Sequence, residues 1–215
     1  MIFQDCKAII FDMDGVLWNS CNIHYEAYCK VLIGEGLQVP AYSKLAGRRT
    51  KDVFYEILTE QVGIFDEELV QRLTIQKQMI ANERLNESPP IAKNCSIILR
   101  TLSDNYRLVL ASSGSRQNVQ LFLTYSESAT LFEVILSGDD VSVAKPNPEI
   151  YLLALEKLGI NSNECLVIED SLSGIEAATL AGLSTIAITG THSFLELSKS
   201  ASIAIIDRLD QLCAS

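Results

Sequence analysis

Lys7-Ala8-Ile9-Ile10-Phe11-Asp12-Met13-Asp14-Gly15-Val16-Leu17 is a short apolar run that ends in two carboxylates and a glycine. A near-continuous hydrophobic stretch of this length is the pattern of a parallel strand buried on both faces, where polar alternation is lost. Asp12 then falls at the strand's C-terminal end, and ligands of open α/β sheets bind beyond that edge. Gly15 suits a point where the backbone must turn sharply out of the sheet.

Downstream of this run the chain reads as three helices. Asn22 to Ile33 carries Ile23, Ala27 and Val31 on one face, and Gly34 and Gly36 close it. Thr50, as N-cap, opens a second helix to Gln61, and Asp66 to about Leu85 forms a third with acidic residues in its first turn. Asn86-Glu87-Ser88-Pro89-Pro90 is the clearest boundary, since consecutive prolines stop a helix and stiffen a connection. From there helices and apolar runs alternate. The strands expected are 107–111, 133–136, 165–168, 185–188 and 203–206, separated by helices over 94–103, 116–125, 148–158 and 173–181.

Strands separated by helices of this length predict an α/β fold with a doubly wound parallel sheet and right-handed crossovers. The stretch between the first strand and the helix at Asn94 is far longer than a sheet connection needs. It predicts an all-α helical cap domain inserted into the sheet domain, with residues 18–87 as the cap and residues 1–17 and 88–215 as the Rossmann-like core.

The chain has 215 residues, 48% hydrophobic and 20% charged, enough to bury a proper core. Its formal net charge of -10 argues against nucleic acid or an anionic membrane as partner, because both favour basic surfaces. No apolar run is long enough to span a membrane and no leader pattern opens the chain, so a cytoplasmic location is expected. A small-molecule partner and a monomer or weak homo-oligomer complete that expectation. The cysteines at 6, 21, 29, 95, 165 and 213 show no C-x-x-C pairing and read as reduced thiols.

The C-terminal ends of the strands give an ordered set of polar residues. Asp12 and Asp14 follow the first strand, Ser112 and Ser113 the second, Asp139, Asp140 and Lys145 the third, and Glu169 with Asp170 the fourth. All face one edge of the sheet and should converge. Two unit charges ~4 Å apart repel by about 4 kcal/mol at an effective dielectric of 20, so the carboxylates must take up protons or recruit a cation. Mg²⁺ fits a site of few carboxylates completed by a substrate phosphate. Lys145 adds positive charge. Ser112-Ser113-Gly114-Ser115 offers hydroxyls and backbone N–H groups to phosphate oxygens, with helix capping the plainer reading for Ser113 and Ser115. A carboxylate nucleophile there can attack phosphorus, and Asp14 can carry the proton. Asp139 and Asp140 read as structural, or as groups standing behind those that touch the ligand.

Asp12-Met13-Asp14-Gly15-Val16-Leu17, Ser112, Lys145-Pro146-Asn147-Pro148 and Glu169-Asp170-Ser171-Leu172-Ser173-Gly174-Ile175 together resemble the four ordered motifs of the haloacid dehalogenase superfamily. The resemblance is closest to the helical-cap subgroup with β-phosphoglucomutases, phosphoglycolate phosphatases and sugar-phosphate phosphatases. It implies Asp12 as nucleophile and metal ligand, Asp14 as acid/base and ligand through its carbonyl, and Asp170 as a further ligand with Glu169 in support. It makes Ser112 a phosphate hydrogen-bonder and Lys145 the charge partner of nucleophile and phosphate. The second aspartate, Asp14, favours phosphoryl transfer over dehalogenation. In the cap, His24 and Arg49 are candidate substrate-side residues, with Arg48 beside Arg49 in the same loop. Trp18 is expected between cap and core or against substrate, and His192 in an ordinary loop. Asn19 stands where the subgroup usually has another aspartate. A rough alignment puts Leu73 where a β-phosphoglucomutase has a lysine in the third cap helix, which lowers the mutase reading.

The expected function is a Mg²⁺-dependent phosphatase for a small phosphorylated metabolite, of the sugar or polyol phosphate class, working through an aspartyl-phosphate. A phosphomutase and a phospho-accepting signalling module are the alternatives.

Overall fold

The computed structural model describes residues 6–63 and 66–213. Six strands, β1 (Ala8–Phe11), β2 (Arg107–Ala111), β3 (Phe132–Leu136), β4 (Cys165–Glu169), β5 (Ser184–Ile188) and β6 (Ala204–Ile206), pair in parallel in the order β3-β2-β1-β4-β5-β6. The chain winds outward to one side through β2 and β3 and to the other through β4 to β6. The direction of winding reverses at β1, between β2 and β4, where such sheets leave a crevice at their C-terminal edge. Phe11 is level with Leu110 and Ile168. Asp12, Ala111 and Glu169 therefore leave the sheet side by side.

The strands are apolar throughout because both faces are covered. Ile9 and Phe11 pack with α4 (Cys95–Ser103) and α5 (Arg116–Ser126) on one face, through Ile98, Leu102 and Phe122. Ala8 and Ile10 pack with α6 (Glu149–Leu158) and α7 (Leu172–Leu180) on the other, through Tyr151, Ala154 and Ala177. Only the edge strand β3 alternates, with Glu133 and Ile135 exposed.

Between β1 and α4 the chain forms α1 (Cys21–Gly34), α2 (Thr50–Val62) and α3 (Glu67–Glu87). These three build an apolar cluster of their own from residues including Tyr28, Leu32, Phe54, Leu58, Val70 and Leu73. Asp66 caps α3 by accepting from the Leu69 N–H at 3.0 Å. Thr50 is the first residue of α2 rather than its cap; Arg49 holds the extended N-cap position without a side-chain capping bond to the helix. Two connectors join this unit to the sheet and lie side by side. Asn19 N–H donates to Pro90 O at 2.7 Å and Ala92 N–H to Leu17 O at 3.0 Å.

Trp18 packs where cap and core join, in a buried cluster that holds Leu85 of α3 as well as Phe122 of α5. It is fully buried in the core beside Phe122, with ring centroids 5.7 Å apart, rather than against the cleft. All six cysteines are free thiols, and no helix among the described residues is long and apolar enough to cross a membrane.

Candidate active site

Lys145, in the loop before α6, sends a buried ammonium group back under the sheet edge. It donates to Asp12 Oδ1 at 2.7 Å, to Glu169 Oε1 at 2.6 Å and to the Ala111 carbonyl at 3.2 Å. Its three protons are thus spent on the ends of β1, β2 and β4, the convergence that strand order demands. Glu169 Oε1 also accepts from the Tyr151 hydroxyl at 3.0 Å, while Oε2 takes the N–H groups of Asp170 and Ser171 and the Ser171 hydroxyl. Gly174 leaves room for this carboxylate, since a Cβ there would lie 1.8 Å from Glu169 Oε1. Gly15 is required twice over: its φ is +86°, and a Cβ would fall 1.9 Å from Asp170 Oδ2.

Burial pushes the Asp12 carboxyl up to about 8, against the pull of Lys145 and with Glu169 adding to the rise. Asp170 is raised well above the usual carboxylate range by burial, then by Glu169 and Asp12. Lys145 is raised well above the ordinary lysine value, its burial outweighed by the carboxylates of Asp12 and Glu169. The site holds more negative charge than one ammonium satisfies. One oxygen each of Asp12, Glu169 and Asp170 lie within 4.8 Å of one another, so the donor set fits a hard divalent cation. Glu169 already has both oxygens engaged, which leaves Asp12 and Asp170 as the better side-chain ligands and Glu169 as the buried partner of Lys145.

Asp14 is half-buried and belongs to a second network. Its Oδ1 accepts from the Ser20 hydroxyl and from His24 Nε2, the latter at 3.0 Å. His24 Nδ1 in turn faces Lys77 Nζ at 3.1 Å. An ammonium has only donors, so His24 Nδ1 accepts from Lys77 and its Nε2–H donates to Asp14. The imidazole is therefore neutral, in keeping with a pKa lowered by burial and by Lys77 against the pull of Asp14. Burial works to raise Asp14, but His24 and Ser20, with Lys77 behind them, hold its carboxyl below the ordinary value. The positive charge feeding this chain sits on Lys77, which burial lowers to about 8.

Lys77 is a residue that sequence reasoning missed. It lies on α3, one turn beyond Leu73, so the third cap helix does present a lysine to the cleft. Its signal was present: Val70, Leu73, Ala81 and Leu85 form a buried stripe on α3, and Lys77 is the one charged member of it.

The remaining candidates divide. Asp12, Asp14, His24, Lys77, Ser113, Gly114 and Asn118 line one cleft. Ser112 is buried and accepts from Gly114 N–H at 3.0 Å, fixing the turn above β2. Ser113 is not a helix cap; its hydroxyl donates to Gly47 O of the cap at 2.7 Å, whereas Ser115 does cap α5. Arg49 donates to the carbonyls of Val141 at 2.8 Å and Ser142 at 3.2 Å, bridging cap and core. Arg48 pairs with Glu56 at the cleft rim. Asp139 accepts from Arg116 N–H, Asp140 closes the turn at Ser137, and both are structural. His192 is buried near Glu196, away from the cleft.

A sheet-edge lysine shared by two carboxylates, a third carboxylate beside them and a helical lid define a class of hydrolase. The sequence profile of the haloacid dehalogenase-like hydrolases matches residues 9–188. The chain belongs to that family and is a phosphatase within it. It is 34% identical over 186 residues to a phosphorylated carbohydrates phosphatase of Thermotoga maritima, spanning 84% of this chain and 83% of the relative. It is 31% identical over 195 residues to the protein CbbY of Rhodobacter capsulatus, spanning 84% of each. The crystal structure of β-phosphoglucomutase from Clostridium difficile superposes with a TM-score of 0.84 at 25% identity, covering 96% of this chain and 93% of that one.

Proposed function

We propose that this phosphatase is Mg²⁺-dependent and hydrolyses small sugar or polyol phosphates through an aspartyl-phosphate on Asp12. In this reading residues 18–87 are the cap and residues 1–17 and 88–215 the catalytic domain, working in the cytoplasm as a monomer or weak homo-oligomer. The observation that carries it is the buried Lys145 ammonium held 2.7 Å from Asp12. That contact opposes the protonation that burial favours at Asp12 and offers the incoming phosphate a cation. Mg²⁺, held by Asp12, Asp170 and the Asp14 carbonyl, would supply neutralising charge for both carboxylate and phosphate.

In the first step Asp12 attacks phosphorus, the bond to the leaving oxygen breaks, and Asp14 gives that oxygen a proton. In the second, water attacks the aspartyl-phosphate, Asp12 leaves, and Asp14 takes the proton back. The proton captured from water in one turnover is the one spent on the leaving group in the next. An incoming phosphate dianion opposes the lowering of Asp14 by His24 and helps it keep that proton. The cap, seated on the core through Arg49, Ser113 and Ser173, excludes bulk water while this happens.

Phosphate release from a panel of small phosphate esters with Mg²⁺ tests the reading. Turnover on at least one sugar or polyol phosphate is expected, and Asp12→Asn should lower kcat by about three orders of magnitude or more. Full activity in that variant would end the nucleophile assignment. Lys77 reopens the mutase alternative, because a cationic cap residue can hold an intermediate for a second phosphoryl transfer. Product analysis with a hexose 1-phosphate separates the two, isomerised sugar phosphate marking the mutase. A phospho-accepting module would give a stable phosphoprotein without repeated turnover.

A further inference from the structure

We propose that Tyr151 is a positioning residue: its hydroxyl apportions the Lys145 ammonium between Glu169 and Asp12. The inference rests on the reading of Asp12 as nucleophile with Lys145 as its charge partner.

Tyr151 is fully buried at the start of α6, six residues after Lys145 in the same segment. It packs among Ile10, Val109, Ala154 and Val167 on one face of the sheet. A phenylalanine would fill that space as well. What the phenol adds is the bond from its hydroxyl to Glu169 Oε1 at 3.0 Å. The face of the same ring lies 4.9 Å from Lys145 Nζ.

The acceptor it chooses is the one Lys145 uses. Glu169 Oε1 receives Lys145 at 2.6 Å, and Lys145 reaches Asp12 at 2.7 Å with the next of its protons. The phenol and the ammonium both draw on the charge of that one carboxylate oxygen. The other carboxylate oxygen is closed by three donors from Asp170 and Ser171. The phenol bond therefore weakens the hold of Glu169 on the ammonium and leaves Lys145 freer to serve Asp12. The ring is attracted to the cation that lies over it. A pinned lysine matters because reacting groups must be held close to their productive geometry.

Tyr151→Phe removes the donor while keeping ring, volume and cation contact. If the hydroxyl positions Lys145, kcat falls about tenfold, the scale of losing one hydrogen bond to a charged group. KM for the ester stays within about twofold, because the cleft that receives the leaving group is untouched. The Lys145 ammonium signal in ¹⁵N-edited NMR should shift and exchange faster with solvent than in the unsubstituted enzyme. Tyr151→Leu, which also removes the ring, should lower kcat further. A Phe variant with unchanged kcat and unchanged ammonium signal overturns the proposal, whatever its thermal midpoint. If the unsubstituted enzyme turns over no ester, the phosphatase reading falls, and the ammonium signal alone decides the positioning claim.

Discussion

Burial lowers the Lys77 ammonium from its ordinary value to about 8, against the attraction of Asp14, and that shift has a sign for stability. Below pH 8 the lysine is charged in both folded and unfolded chains, and the folded state bears the cost of burying it. Between pH 8 and about 10.5 the folded state sheds its proton first, so stability from this group rises with pH. Lys77→Met should therefore compare more favourably with the parent at pH 7 than at pH 10.5, a gain reduced by loss of the donor to His24 Nδ1. Urea titrations should show that gain shrinking between pH 8 and 10.5, and kcat should fall because Asp14 and His24 lose their cation. A difference between variant and parent that stays constant from pH 8 to 10.5 would contradict this account. Asp12, Asp14, Lys145 and Asp170 were legible in the sequence because strand ends alone bring them together. Lys77 and Tyr151 were not, since each acts through a partner more than fifteen residues away, His24 and Glu169 respectively. A lysine interrupting an apolar helical stripe was still a visible mark.

The cap loop shows how elements, rather than residues, seat the lid. Gly47 has φ +71°, and a Cβ on it would fall 2.1 Å from Ser171 Oγ and 2.7 Å from Ser171 Cβ. Its carbonyl accepts from Ser113, and the neighbouring Ala46 carbonyl accepts from Ser173. Gly47→Ala is predicted to strain this turn and hold the cap off the core, lowering kcat/KM by about tenfold or more. Circular dichroism should show the secondary structure unchanged, because α1–α3 and the sheet keep separate cores; parent-like kinetics would sink the prediction. Helices and strands themselves were readable, all six strands falling on the apolar runs and most ends within two residues. The docking of the loop was not readable. Its partners Ser113, Val141, Ser171 and Ser173 come from three distant segments, and no local pattern encodes which of them a loop will meet.

At the scale of the whole molecule, a surplus of buried carboxylates makes folding sensitive to cations. Burial raises both Asp12 and Asp170, with Glu169 adding to the rise at each and Asp12 adding to it at Asp170. A ligand that binds only the folded state at ten times its dissociation constant stabilises by about 1.4 kcal/mol. For a chain of this size that is a rise of about 3–6 °C in thermal midpoint, to be seen on adding Mg²⁺ and reversed by chelator. No change would count against a divalent site at Asp12 and Asp170. The parallel sheet and its inserted helical unit were legible from spacing alone, because only a separate body accommodates so long a first crossover. The two connectors of that body have a consequence for how such proteins diversify. Leu17 and Ala92 are joined by one hydrogen bond, so the sheet domain's chain ends meet whether or not anything is spliced between them. An insertion at such a site, folded with its own ends together, adds little loop-closure cost to the host, since that cost grows only slowly with length. Lids of different size and chemistry can be exchanged there while the sheet beneath folds as before.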